Sequence, residues 1–180
     1  KLEHLTEGDI LILSGSMASG VDHNFYADVM KYLEGRKIRI VVDAAGSILK
    51  TVLPYHPYLI KPNQHELSEI FGQKILENQV EEYACKLVTM GAQNVLVSLG
   101  ENGAILVNKQ VYRSIAPRGE ILNSVGAGDS MIAAFLASKL NGESDQIALE
   151  KSVAMGSATA FSYGIAEQEA ADILYKEMVK

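Results

Sequence analysis

Between Ile10 and Leu99 one pattern recurs: a short run of apolar β-formers, a cluster of small or polar residues, then a segment with helical periodicity. Ile10-Leu11-Ile12-Leu13-Ser14 opens the series as a strand buried on both faces, because an uninterrupted apolar run offers no polar face to water. Asp22 is placed to cap the next helix, Asn24 to Leu33, with Phe25, Val29, Met30 and Leu33 on one face. Ile38 to Asp43 is the second strand and Ser47 to Leu53 a short helix ahead of Pro54 and Pro57. Tyr58-Leu59-Ile60 is the third strand, followed by helices over Gln64 to Phe71 and Val80 to Met90, and Val95 to Leu99 is the fourth. Strands that alternate with helices through short connections form a parallel sheet covered on both faces, an α/β fold. In such sheets ligands bind outside the carboxyl ends of the strands. Gly15 to Gly20, Asp43, Lys61 to Glu66 and Ser98 to Gly103 all fall there.

After Gly103 the pattern changes. Ala104 to Val107 and Val111 to Ile115 read as a hairpin turning at Asn108-Lys109-Gln110. Three helices follow, one starting near Gly126, one over Asp145 to Phe161 and one over Glu167 to Met178.

Composition narrows the function classes. At 180 residues, 48% hydrophobic and 21% charged, the chain suits one globular domain with a sizeable core. A net charge of −6 lacks the basic face that nucleic-acid binding needs, yet leaves room for a small phosphorylated ligand held by a few donors. The one cysteine, Cys85, excludes an intrachain disulfide and fits a reducing, cytoplasmic setting. It lies in a helical stretch and reads as a buried, inert thiol. No apolar run is long enough for a membrane span, and no signal peptide is evident. The chain starts at Lys1 without a methionine, and is expected to be a piece of a longer protein.

The richest chemistry lies in Asn123 to Phe135, NSVGAGDSMIAAF. Gly126-Ala127-Gly128 stands where a loop turns into an apolar, buried helix. The first N–H groups of a helix have no intrahelical partner and sit at the positive end of its dipole. Without side chains in the way, they form a pocket for phosphate oxygens or a developing oxyanion. Asp129 follows on the first turn, where a carboxylate can take a proton from an attacking hydroxyl. The plain alternative is a tight turn with a favoured first-turn acid. Asn63 and Glu66 have the same ambiguity. They either act on Mg²⁺ and phosphate through water or form a capping box at the start of a helix. Ser98-Leu99-Gly100-Glu101-Asn102-Gly103 is either an approach to a nucleotide or a simple hairpin turn. Other readings fail outright. His65-Glu66 has Glu69 where a zinc-protease motif needs histidine, no GxxxxGK[ST] run exists, and the GxG at Gly126 lacks the third glycine of a dinucleotide fingerprint.

Taken in order, GSMASG, VVDAAG, IKPNQHEL, SLGENG and NSVGAGDS resemble the motifs of the ribokinase-type (PfkB) carbohydrate kinases, over almost the whole chain. IKPNQHE with NSVGAGDSM most resembles the sugar-phosphate branch, that of 1-phosphofructokinase and tagatose-6-phosphate kinase. The resemblance implies a ribokinase-like α/β fold, of which residues 1–180 are the C-terminal part of a single kinase domain without its N-terminal part and β lid. It implies ATP and Mg²⁺ as cofactors, a sugar phosphate as the other small-molecule partner, and a homodimer through the missing lid, with no nucleic acid and no membrane. Asp129 would be the base, and the amides of Gly126, Ala127 and Gly128 would stabilise charge on the transferring group. Asn63 and Glu66 would act on Mg²⁺ through water. Ser98, Gly100 and Gly103 would line the ATP site, Lys61 would add positive charge near the phosphates, and Ala154 to Ser157 would pass near the adenine. Asn123 stands where many relatives have Asp, which departs from a monovalent-cation site. A kinase for an unphosphorylated sugar or nucleoside, and a non-catalytic nucleotide-binding fragment, are the competing readings.

Overall fold

The computed structural model describes residues 2–15, 22–44 and 46–180. The loop expected at Ser16 to Gly20 therefore lies outside the described residues, as does Ala45. The chain divides into two compact units, residues 1–97 with 107–109, and residues 98–106 with 110–180.

In the first unit β1 (Ile10–Ser14), β2 (Arg39–Asp43), β3 (Leu59–Ile60) and β4 (Val95–Ser98, its last residue in the second unit) follow one another in that order in the sheet. All three pairings are parallel, in register Ser14 with Asp43, Val42 with Ile60, and Ile60 with Val95. Helices α1 (Phe25–Tyr32), α2 (Gly46–Val52), α3 (Gln64–Phe71) and α4 (Val80–Thr89) fill the connections. Successive strand residues point to opposite faces, and Ile40, Val41 and Val42, Leu59 and Ile60, and Val95, Leu96 and Val97 are all buried. Both faces of these strands are therefore covered, as the parallel α/β reading requires.

Four local expectations are corrected. β1 is not buried on both faces, since Ile12 is 47% exposed; it ends the strand order, and among the described residues it pairs only with β2. Phe25 does not join the buried stripe of α1. It is 48% exposed, while Val29, Met30 and Leu33 are buried as expected and Tyr26 and Ala27 take the place of Phe25 on the buried face. The cause is polar as well as apolar: the Tyr26 hydroxyl donates to the Ser14 carbonyl at 3.0 Å, drawing its ring toward the end of β1. Asp22 accepts from the Asn24 amide at 2.9 Å, but Asn24 is the N-cap, so Asp22 stands two positions ahead of it. Cys85 is a free thiol on α4, half-buried instead of enclosed.

The second unit holds β5 (Ala104–Val107, whose last residue belongs to the first unit) and β6 (Val111–Ser114), neighbours joined by the expected short turn. Its helices are α5 (Ala127–Leu140), α6 (Asp145–Ala160) and α7 (Gln168–Met178). α6 packs against both others. On α5, Met131, Ile132, Phe135 and Leu136 are buried while Ala133 and Ala137 face out. Ser144 caps α6 by accepting from the Ile147 amide. No helix among the described residues is long and apolar enough to cross a membrane.

The middle and the C-terminal end of α5 should respond differently to truncation. Phe135 is fully buried and Leu140 is 62% exposed. Phe135→Ala should cost about 3–5 kcal/mol through lost burial and a residual cavity, whereas Leu140→Ala should stay within about 0.5 kcal/mol. Urea denaturation of the full chain reads both.

Candidate functional site

The candidate residues fall into two groups, one in each unit. In the first unit they stand where the parallel strands end. Ser14 closes β1, Asp43 closes β2, Lys61 follows β3, and Asn63 is the N-cap of α3. The Gly15 amide donates to the Asp43 carbonyl at 3.0 Å, continuing the β1–β2 ladder past its last pair.

Lys61 is 7% exposed, and its ammonium lies 3.3 Å from the Asp43 carboxylate. Taking an ammonium out of water is costly unless an opposite charge meets it, so Asp43 is what permits Lys61 to sit there. Burial and the Asp43 charge together hold the Tyr26 phenol above its ordinary pKa. The ends of β1 and β2 and the segment after β3 thus share one electrostatic neighbourhood.

Asn63 and Glu66 form the reciprocal capping box in full. The Asn63 side chain accepts from the Glu66 amide at 2.9 Å, and Glu66 accepts from the Asn63 amide at 2.8 Å. Each is half-buried. The capping role engages one carboxylate oxygen and the amide oxygen, and among the described residues no hydrogen bond engages the second Glu66 oxygen. Gly46 enables this geometry from outside the motif: a Cβ there would stand 2.9 Å from the Glu66 carbonyl, so α2 could not approach α3 so closely. Among the described residues no group of three His, Cys, Asp or Glu side chains is placed to hold a metal. One amide and one carboxylate are hard oxygen donors that suit Mg²⁺, an ion that keeps much of its water and takes other ligands from phosphate.

In the second unit the Gly126–Asp129 stretch is the start of α5. Gly126 is the N-cap, at φ +83 and ψ −6, a left-handed conformation that an L side chain rarely adopts. No side chain caps this terminus. The Ala127 amide turns back to the Ser124 carbonyl at 3.2 Å, and the Ser130 amide makes the first helical bond, to the Gly126 carbonyl, at 2.9 Å. The amides of Gly128 and Asp129 lie between them on the first turn, where helix geometry provides no intrahelical acceptor. Asp129 itself is exposed. Just upstream, the Asn123 side chain accepts from the Val125 amide at 3.0 Å and donates to the Tyr163 carbonyl at 3.4 Å. Asn123 therefore serves as a loop-fixing amide.

The other members of this group are placed as follows. Ser98 ends β4, Gly100 begins a single 3-10 turn, and Gly103 closes it by donating to the Gly100 carbonyl. A Cβ on Gly103 would meet the Ser114 carbonyl at 2.0 Å, so this turn lies directly against the end of β6. Ala154 is buried in α6 and Ser157 is half-buried one turn later. Between them sits Gly156, which sequence reasoning did not single out. A Cβ there would come within 2.5 Å of the Met131 side chain and 3.3 Å of the Ala127 carbonyl, so α6 meets the first turn of α5 at backbone range. Ser130 and Thr159 were missed as well. Their hydroxyls are 2.9 Å apart and buried, a pairing of residues 29 positions apart that no local pattern marks.

The ion pair offers a clear test of this account. Asp43→Asn leaves a buried ammonium without its counter-charge and should destabilise the full chain by about 3–5 kcal/mol. Asn63→Ala should cost only about 1 kcal/mol, the usual loss of a cap. Chemical denaturation of both variants would expose an error if their order were reversed.

Comparison with known proteins agrees with these features. The model of the pfkB family carbohydrate kinases matches residues 1–171. The 1-phosphofructokinase of Bacillus subtilis is 41% identical over 99% of this chain and 59% of its own length. The D-tagatose-1-phosphate kinase of Bacillus licheniformis is 35% identical over 93% of this chain and 56% of its length. Among solved structures, Escherichia coli phosphofructokinase-2 in complex with substrates and products superposes with a TM-score of 0.93 at 28% identity, over 99% of this chain and 60% of that one. The chain thus spans less than two thirds of the relatives it matches. With the parallel α/β architecture, the glycine-led start of α5 and the Asn63–Glu66 pair in place, the chain belongs to the pfkB family of carbohydrate kinases.

Proposed function

We propose that this chain supplies the nucleotide-handling and proton-accepting residues of a cytoplasmic kinase that transfers the γ-phosphoryl group of ATP to a hydroxyl of a sugar phosphate, converting fructose 1-phosphate to fructose 1,6-bisphosphate. The observation that carries this reading is the start of α5: a side-chain-free, left-handed glycine N-cap followed by an exposed carboxylate on the same turn.

In the reaction the sugar hydroxyl oxygen forms a bond to the γ-phosphorus as the bond from that phosphorus to the β,γ-bridging oxygen breaks. ADP leaves with the bridging oxygen, and Asp129 accepts the hydroxyl proton. Phosphoryl transfer asks little covalent chemistry of a protein and much positioning and charge stabilisation. The amides of Gly126 and Gly128 would supply that at the positive end of the α5 dipole, while the Ala127 amide is engaged by the Ser124 carbonyl and holds the turn. Ser98, Gly100 and Gly103 present backbone close to the nucleotide, and Ala154 and Ser157 line the adenine side. Lys61 would bring its ammonium near the phosphates, with much of its charge offset by Asp43 at 3.3 Å. Mg²⁺, when bound with ATP, would neutralise phosphate charge, and Asn63 and Glu66 would hold its water. Capping and metal duty are compatible, because the cap uses only one Glu66 oxygen.

The name of the Bacillus licheniformis relative favours tagatose 1-phosphate as a second acceptor to set beside tagatose 6-phosphate. ADP release by the full chain with Mg-ATP, offered each sugar phosphate separately, decides among the acceptors. Asp129→Asn should lose at least about 10²-fold in kcat with ATP binding retained, the usual scale of a positioned base. Near-normal turnover in that variant removes Asp129 from the mechanism. Release with none of the three would redirect the search to unphosphorylated sugars and nucleosides, or to a binding role. Glu66→Gln separates the two duties of that residue: an amide oxygen can still cap Asn63, so stability should hold while the Mg²⁺ concentration for half-maximal rate rises about tenfold or more. An unchanged Mg²⁺ requirement would leave Glu66 with capping alone.

A further inference from the structure

We propose that Thr159 is a positioning residue for Asp129, its buried hydroxyl fixing the first turn of α5 through Ser130. The proposal rests on the phosphoryl-transfer reading above. Thr159 is 0% exposed and Ser130 5%, and their hydroxyl oxygens lie 2.9 Å apart. Ser130 directly follows Asp129, and its own amide closes the first α5 hydrogen bond to the Gly126 carbonyl. The peptide that links Asp129 to Ser130 is therefore pinned from the backbone side and from the side-chain side.

The same Thr159 oxygen accepts the Ala166 amide at 3.2 Å. Ile165, the residue before it, stands over Gly126, where an added Cβ would meet its side chain at 3.4 Å. The next residue along α6, Ala160, accepts through its carbonyl from the amides of Leu122 and Asn123, at 2.9 and 3.1 Å. The end of α6 and the segment after it thus touch the approach to the GAG turn, its N-cap and the residue beyond Asp129. Thr159 is the side chain that joins two of these contacts. Nothing in α6 itself calls for a hydroxyl here. Its neighbours Ala158 and Ala160 are small and apolar, and a β-branched residue loses rotamer freedom in a helix. A buried hydroxyl with two polar partners is over-specified for packing but suited to holding a turn in register.

The test uses the full chain, comparing Thr159→Val, which keeps the shape and removes the oxygen, with Thr159→Ser, which restores it. Steady-state kinetics with Mg-ATP and the preferred sugar phosphate are read well below the unfolding midpoint of each variant. Thr159→Val should lower kcat about tenfold, the scale of a sub-ångström misplacement of a reacting group, with KM for ATP changed less than about twofold. Thr159→Ser should recover most of the rate. Ser130→Ala should lower kcat similarly, and the double variant Ser130→Ala with Thr159→Val should lose no more than either alone, because both act through one bond. A Thr159→Val enzyme that melts earlier yet keeps its kcat overturns the proposal and leaves the hydroxyl a purely structural role. Losses that multiply in the double variant also overturn it. Should Thr159→Val fail to fold, Ser130→Ala with unaltered kcat overturns it equally. If the parent chain shows no Asp129-dependent turnover, the kinase reading fails first and this proposal with it.

Discussion

Parallel strands with both faces dry have nowhere to place polar chemistry except at their ends. Every described residue of β3, and Ile40, Val41 and Val42 of β2, is buried, so an uncompensated polar side chain on those faces would cost several kcal/mol. Asp43, Lys61 and Asn63 instead occur just where their strands stop. The same constraint explains the Lys61–Asp43 pair. A lysine this close to the core is tolerated because a carboxylate from the neighbouring strand end meets it.

Under the proposed phosphoryl transfer, the second unit meets a different constraint. A helix terminus that is to receive an anion must keep its amides uncapped and its approach clear of side chains, and both requirements remove interactions that would otherwise hold the turn. Gly126 has no capping side chain and a backbone conformation unsuited to other residues. Stability is restored from behind, where α6 carries Gly156 at backbone range of Ala127 and its last turn binds the loop over Leu122 and Asn123. Rigidity at this turn is thus lent by a neighbouring helix while its front stays open.

Structural and functional readings of a motif need not compete. Asn63 and Glu66 are a complete capping box, as a purely local reading anticipates, yet the box engages only part of the Glu66 carboxylate. Under the proposed Mg²⁺ role, a pair fixed this rigidly at the mouth of a helix would orient water around the cation better than a pair of free side chains, since its rotamers are already settled.

What the sequence alone determined is whatever arises within about a turn of chain. The strand and helix order, the α3 boundaries at Gln64 and Phe71, the capping box and the glycine start of α5 follow from periodicity, cap chemistry and backbone sterics, all of which act over three or four residues. Tertiary structure decided the rest. Phe25 gives up its place on the buried face to Tyr26, whose hydroxyl donates to the Ser14 carbonyl 12 positions away. β1 is half-exposed because it stands last in the strand order, a property of the assembled sheet. The Lys61–Asp43 pair, the Gly156 approach and the Ser130–Thr159 bond all join residues remote in sequence. Each depends on distances that exist only once the chain has folded, and for that reason no spacing along the chain announces them.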